Sequence, residues 1–263
     1  AGRHAPASLA ALSVGSAIFV TVYVSLMGLL QALLPIWSEM HGARRHADIG
    51  PSLRQSLYIC LAASALGMLV LFNPAPLLRW TEVPPDLQPL VLDYLAIVGW
   101  SLPAALLFRI FSTLSQALGK PQLVTWLQAV SLPVKLLLSV WFTFGGLGLA
   151  PMGVVGCAWG TFVVNFFLCG VGWFLLRTQS LYAPAHIWRK LERPHWPTLA
   201  QFAQLGVPAS LSILVEITSF TLMALFVARM STAAAGAHQI AANVPALMYM
   251  VPLSLAIATS ARA

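Results

Sequence analysis

The chain has 263 residues, of which 59% are apolar and 8% charged, with a mean hydropathy of +0.83 and a formal net charge of +7. A soluble domain carries about 25% charged residues, and apolar runs this long and even fit neither a soluble core nor the alternating strands of a membrane barrel. The composition therefore specifies an all-α integral membrane protein, and Lys and Arg, gathered in short loops between apolar runs, report topology rather than a nucleic-acid footprint.

Taken in order, Ala1 to Ser8 reads as a loop with Arg3 and His4. The first predicted span is Ala11 to Trp37, dotted with Ser13, Ser16, Thr21, Ser25 and Gln31, a pattern suited to helix–helix packing. Pro35 and a charged loop, Glu39 to Arg54, end it. The second span runs from Ser56 to Phe72 and stops at Asn73-Pro74-Ala75-Pro76. In the next loop Trp80 fits an interfacial anchor. The third span, Leu90 to Leu118, contains Pro103 and has a basic end from Arg109 to Lys120. Gly119-Lys120-Pro121 predicts a tight turn.

The fourth span is Leu123 to Phe144, with Pro133 and Lys135 at mid-depth. The fifth, Met152 to Leu176, holds Gly156 and Gly160, a pair whose simplest reading is close helix approach. The polar stretch Arg177 to Leu199 is the main boundary, and its Ala185 to Glu192 part suits a short surface helix. The sixth span is Gln201 to Ala228 and the seventh His238 to Ala261. Loops after spans one, three, five and seven hold most of the Lys and Arg, which puts the start of the chain outside and its end in the cytoplasm. Cys60, Cys157 and Cys169 lie inside apolar runs without paired spacing and read as small apolar side chains. The chain begins in a loop and stops as a helix reaches Arg262, so it reads as a fragment lacking both ends.

Laying Arg3 on Arg229 also lays Ala7 on Ala233, Ala11 on Ala237 and Leu29 on Leu255. Internal repeats of this sort are common in transporters, and this one suggests that the sixth and seventh spans open a second half. The stretch from Leu205 to Ala261 carries the sharpest chemistry. Glu216 has roughly 22 Å of predicted helix before it, near the middle of a bilayer, where a carboxylate is expensive and a functional role is the first hypothesis. The alternative is a structural acid held between helices. No nucleotide loop, paired catalytic acids, metal motif or nucleophile elbow is present. The expectation is a protein that is not an enzyme and has no cofactor.

Leu205-Gly206-Val207-Pro208, then Glu216 and Phe220, then Ala237-His238-Gln239-Ile240-Ala241-Ala242-Asn243 and Met250-Val251-Pro252-Leu253-Ser254 together resemble the multidrug and toxic compound extrusion family of drug/cation antiporters. Ala1-Gly2-Arg3, Leu33-Leu34-Pro35 with His41-Gly42-Ala43, and Gly153 to Ala158 support the likeness across the whole chain. The resemblance implies seven of twelve transmembrane helices, the second to the eighth, in a two-lobe transporter. Residues 1–180 would be most of the amino-terminal lobe, 181–199 the cytoplasmic connection and 200–263 the first two helices of the carboxy-terminal lobe.

It further implies a multidrug exporter of the bacterial inner membrane, a monomer, moving small cationic or amphipathic drugs against Na+ or H+, without nucleic-acid partners. The coupling ion, Na+ included, would bind Glu216, with Ser212 and Ser219 on the same helix face. The substrate cavity would draw on Phe220, Met223, Gln239, Asn243, Lys135 and Ser139. Lys135 departs from the family, which often has Asn there and at Ser139. It is read as pairing with an acid of the absent first helix, pairing with Glu216, repelling cations, or snorkelling to an interface. His238 and Gln239 also suit a cap of the turn, and Pro103, Pro133, Pro208, Pro245 and Pro252 are hinge candidates. Two other readings stand beside the exporter. One is a related flippase for lipid-linked precursors, which would want a basic cavity. The other is a seven-helix receptor or photoreceptor, which would want its retinal Lys in the last span.

Overall fold

A computed structural model of the chain describes residues 4–74, 88–144, 153–179, 182, 192–228, 241, 248–249, 251–256 and 258–259. These residues are all-helical, and seven helices can be followed: α1 (His4–Gln31), α2 (Leu33–Gly42), α3 (His46–Phe72), α4 (Gln88–Ala117), α5 (Pro121–Phe144), α6 (Val154–Thr178) and α7 (Trp196–Ala228). Six stretches among them are long and apolar enough to cross a bilayer, with α1 and α2 sharing one. They correspond to the first six predicted spans. The seventh predicted span lies largely outside the described residues, as do Trp80 and the predicted surface helix before Glu192.

The boundaries differ in instructive ways. α1 starts at His4 rather than after Ser8, because Pro6 falls in the first turn, where its missing N–H is no loss. The expected loop from Glu39 to Arg54 shrinks to a turn at 43–45 between α2 and α3. Arg44 adopts φ +58°, and the Arg45 amide reaches back to the Met40 carbonyl at 2.8 Å, a Schellman-like stop to α2. Asp48 sits in the first turn of α3, favourable to the helix dipole, and binds Arg45 at 2.7 Å. The first span breaks at Ala32 because Pro35, which has no N–H, cannot bond the Gln31 carbonyl. The predicted tight turn is present: Gly119 has φ +72°, and Pro121 opens α5.

α4 is the hub, packing on α1, α2, α3, α5 and α6. Its Val91, Leu95, Val98, Leu102, Leu106 and Leu114 are fully buried. In a bilayer this burial is not driven by escape from water, so close contact and satisfied polar groups must hold the helices. Small hydroxyls do both. Ser56, Ser101 and Ser115 are buried and bond carbonyls of their own helices, and Ser101 also accepts a bond from Asn165 of α6 at 3.1 Å. Trp37 of α2 donates to Ser52 of α3 at 2.9 Å.

The Gly156/Gly160 pair sits where α6 crosses α5. A Cβ on Gly156 would lie 2.5 Å from the Phe142 carbonyl carbon, and one on Gly160 would lie 2.8 Å from the Ser139 hydroxyl. Gly170 of the same helix has nothing within 4 Å. Gly156→Ala therefore forces backbone apart and should cost about 1–3 kcal/mol. Its thermal unfolding midpoint in detergent should drop by several degrees, while that of Gly170→Ala stays near wild type. Equal midpoints would contradict this packing.

Candidate functional site

α7 carries the predicted site. It crosses α1 closely: a Cβ on Gly206 would meet the Leu29 carbonyl at 2.7 Å, and one on Gly28 would meet the Ser210 Cα at 3.1 Å. The Ser210 hydroxyl donates to the Ser25 carbonyl at 2.6 Å. Gly206, Ser210 and Ile213 thus form the packed face. At about 100° per residue, Ser212, Glu216, Ser219 and Met223 fall within about 60° of one another. They lie roughly a third of a turn away from that packed face. Phe220 lies between the two. All five are exposed among the described residues. The Ser219 hydroxyl is bonded to the Val215 carbonyl at 2.7 Å.

Depth changes from the sequence expectation. α7 begins at Trp196, five residues or so before the predicted start, so about 30 Å of helix precedes Glu216. The carboxylate sits outward of the middle of the span. No group of three His, Cys, Asp or Glu side chains capable of holding a metal occurs among the described residues. Gln239 and Asn243 lie outside the described residues, as does His238.

Lys135 is exposed on α5, one turn from the buried Ser131 and one from the half-buried Ser139. Thr125, Gln128, Ser131, Lys135, Ser139 and Thr143 share an arc of about 120°, a polar stripe along an otherwise apolar helix. Ser139 lies against Gly160, and Thr143 meets the Cys157 thiol at 3.2 Å, so the lower part of that stripe faces α6. α5 packs on α6 and α4, whereas α7 packs on α1, α3 and α2. Of the four readings of Lys135, direct pairing with Glu216 is not realised here: two ion pairs join described residues, Arg45–Asp48 and Arg54–Glu192.

Three features escaped the sequence reading. Arg109, expected at the basic end of its span, lies two turns inside α4 and donates through one guanidinium nitrogen to the Gln31 side-chain carbonyl of α1. The apolar residues Ile110, Phe111 and Leu114 that follow it were the available signal. Arg54, expected in a solvated loop, is 4% exposed and bonds Glu192 at 2.6 Å. Around it, Gln55 donates to the Arg193 carbonyl and accepts from the His195 amide, both at 2.9 Å, and Tyr58 donates to the Glu192 carbonyl at 2.8 Å.

One turn of α3 thus grips the backbone just before α7. Farther back in the connection, Tyr182 is buried against Phe111 of α4, with its hydroxyl 2.8 Å from that of Ser115. Burial pushes the Tyr182 phenol above its ordinary range, and the Ser115 hydrogen bond pulls against that shift.

The sequence profile of the family described as MatE matches residues 1–141. A protein described as "Probable multidrug resistance protein NorM" from Aromatoleum aromaticum is 36% identical over 259 residues, covering 98% of this chain and 56% of that protein. The crystal structure of a MATE point mutant superposes with a TM-score of 0.84 at 19% identity, over 97% of this chain and 57% of the other. A MATE transporter, NorM-NG in complex with a rhodamine dye and a monobody, gives a TM-score of 0.74 at 23% identity, over 100% and 57%. The chain thus spans a little over half the length of the relatives it matches.

The grip of α3 on the connection gives a direct test. Glu192 is 51% exposed but its partner is buried, so Glu192→Ala should cost about 1–3 kcal/mol, between the values for exposed and buried pairs. Asp48→Ala, which removes an exposed pair, should leave the unfolding midpoint within about a degree of wild type. A larger effect from Asp48 than from Glu192 would contradict the assignment.

Proposed function

Because this chain belongs to the MatE family and forms part of a multi-pass membrane transporter, we propose that the protein is a secondary active multidrug exporter of the bacterial inner membrane, exchanging small cationic or amphipathic compounds for Na+ or H+. The observation that carries this reading is the face of α7 on which Glu216 stands with Ser212, Ser219 and Met223. A carboxylate exposed on a membrane-spanning helix cannot rest against hydrocarbon. It therefore faces a water-filled cavity or a partner supplied by another helix.

In this reading the side chains differ in role. Glu216 supplies the charge that binds the coupling ion. Ser212 and Ser219, one turn to either side, offer hydroxyl oxygens at the distance a small cation or a protonated carboxyl needs. Met223 and Phe220 supply polarizable and aromatic surface beside them, suited to flat, varied compounds. Gln239, Asn243, Lys135 and Ser139 are assigned to the remaining wall of the cavity. Residues 1–180 belong to one lobe, 181–199 to the cytoplasmic connection and 200–263 to the second lobe, and the transporter works as a monomer. Transport follows if drug and ion stabilise different states, because a ligand that binds both states equally shifts nothing. Ion binding at Glu216 favours one opening of the cavity and drug binding the other.

The test uses the full-length transporter in a pump-deficient strain. Glu216→Gln should abolish drug efflux while the amount of protein in the membrane stays at the wild-type level. Wild-type efflux from a well-expressed variant would remove Glu216 from the mechanism. Varying Na+ at fixed pH during efflux then separates the two coupling ions.

A further inference from the structure

Inside the described spans the charges do not balance. Arg109 and Lys135 lie deep within α4 and α5, while Glu216 is the acid set deep in its helix and Asp93 stands near one end of α4. Arg109 is the more constrained cation. It precedes the end of α4 by about 12 Å, and it does not snorkel toward that end. Its guanidinium instead turns to Gln31 on α1, a helix that continues through α2 for roughly another 16 Å. A charge at this depth demands an anion or water. Arg109 has neither of the two ion pairs among the described residues, and its Nε is buried without a hydrogen-bond partner. A neutral amide is a weak complement for a guanidinium.

The surroundings are arranged for a carboxylate. The guanidinium is a planar fork whose donors match the two oxygens of a carboxylate. Gln31, having accepted with its carbonyl, keeps its amide nitrogen as a further donor beside the fork. Tyr23, two turns earlier on α1, lies within electrostatic range of the same guanidinium and is stacked on Phe19, so aromatic surface adjoins the donors. For a purely cationic compound this corner is repulsive, whereas a carboxylate on the same molecule converts the repulsion into attraction.

We propose that Arg109, oriented by Gln31, is the docking point for the carboxylate of amphipathic zwitterionic substrates, which extends the cargo beyond simple cations. This rests on the reading of the protein as an exporter. The test compares a cationic rhodamine ethyl ester with its free acid, which differs by exposing a carboxylate.

In the full-length transporter, wild type should export both dyes. Arg109→Gln should cut efflux of the free acid about tenfold or more at equal membrane amount, and leave the ester within about twofold. Loss of both dyes together, or of neither, overturns the proposal. If wild type exports no ester, the exporter reading fails and this inference with it. Should Arg109→Gln not reach the membrane, dye binding to the purified wild-type transporter decides instead. Excess benzoate should displace the free acid and spare the ester, and displacement of both or neither overturns the assignment.

Discussion

Hydrocarbon offers a bare charge no water, so each ionic group inside a span must be paired, hydrogen-bonded or turned toward an aqueous space. That constraint arranges this molecule. Arg54 meets it by an ion pair with Glu192, and in doing so fixes the chain just before α7. Arg109 meets it in part through Gln31 and joins α4 to α1. Glu216 and Lys135 meet it by facing outward from helices that the rest of the chain leaves exposed on one side. The groups left without protein partners are those for which a ligand or coupling ion is the natural complement.

The same solvent explains how the scaffold stays together. Apolar side chains gain little by leaving lipid for one another, so the helices close on small residues and short hydroxyl bonds. Gly156 and Gly160 let α6 reach the α5 backbone, and Gly28 and Gly206 let α1 reach α7, where Ser210 adds a bond to Ser25. The second contact matters for the site. It fixes the rotation of α7 about its axis, and so decides that Ser212, Glu216 and Ser219 turn away from α1. A slip of one residue at that crossing would swing the carboxylate by about 100°.

The number and order of the spans were legible because an apolar run of about twenty residues has few other meanings in water or lipid. The turn at Gly119 and the packing role of Gly156 and Gly160 were legible for similarly local reasons. Helix ends were less so. Charged residues near Arg54 looked like a loop, since sequence cannot show that a distant Glu192 would neutralise one of them. Arg109 was misplaced by the same logic, its burial depending on Gln31 of another helix. The side-by-side placement of Ser212, Glu216 and Ser219 followed from helical periodicity alone. Its orientation against α1 required the three-dimensional contact.

The central claim is that Glu216 is where ion and drug compete. Binding of a cationic rhodamine ester to the purified full-length transporter, titrated across Na+ concentration and separately across pH, tests it most directly. The account predicts that dye affinity weakens as the coupling ion rises in wild type, and that Glu216→Gln flattens this dependence. The same ion dependence in wild type and in Glu216→Gln would contradict it.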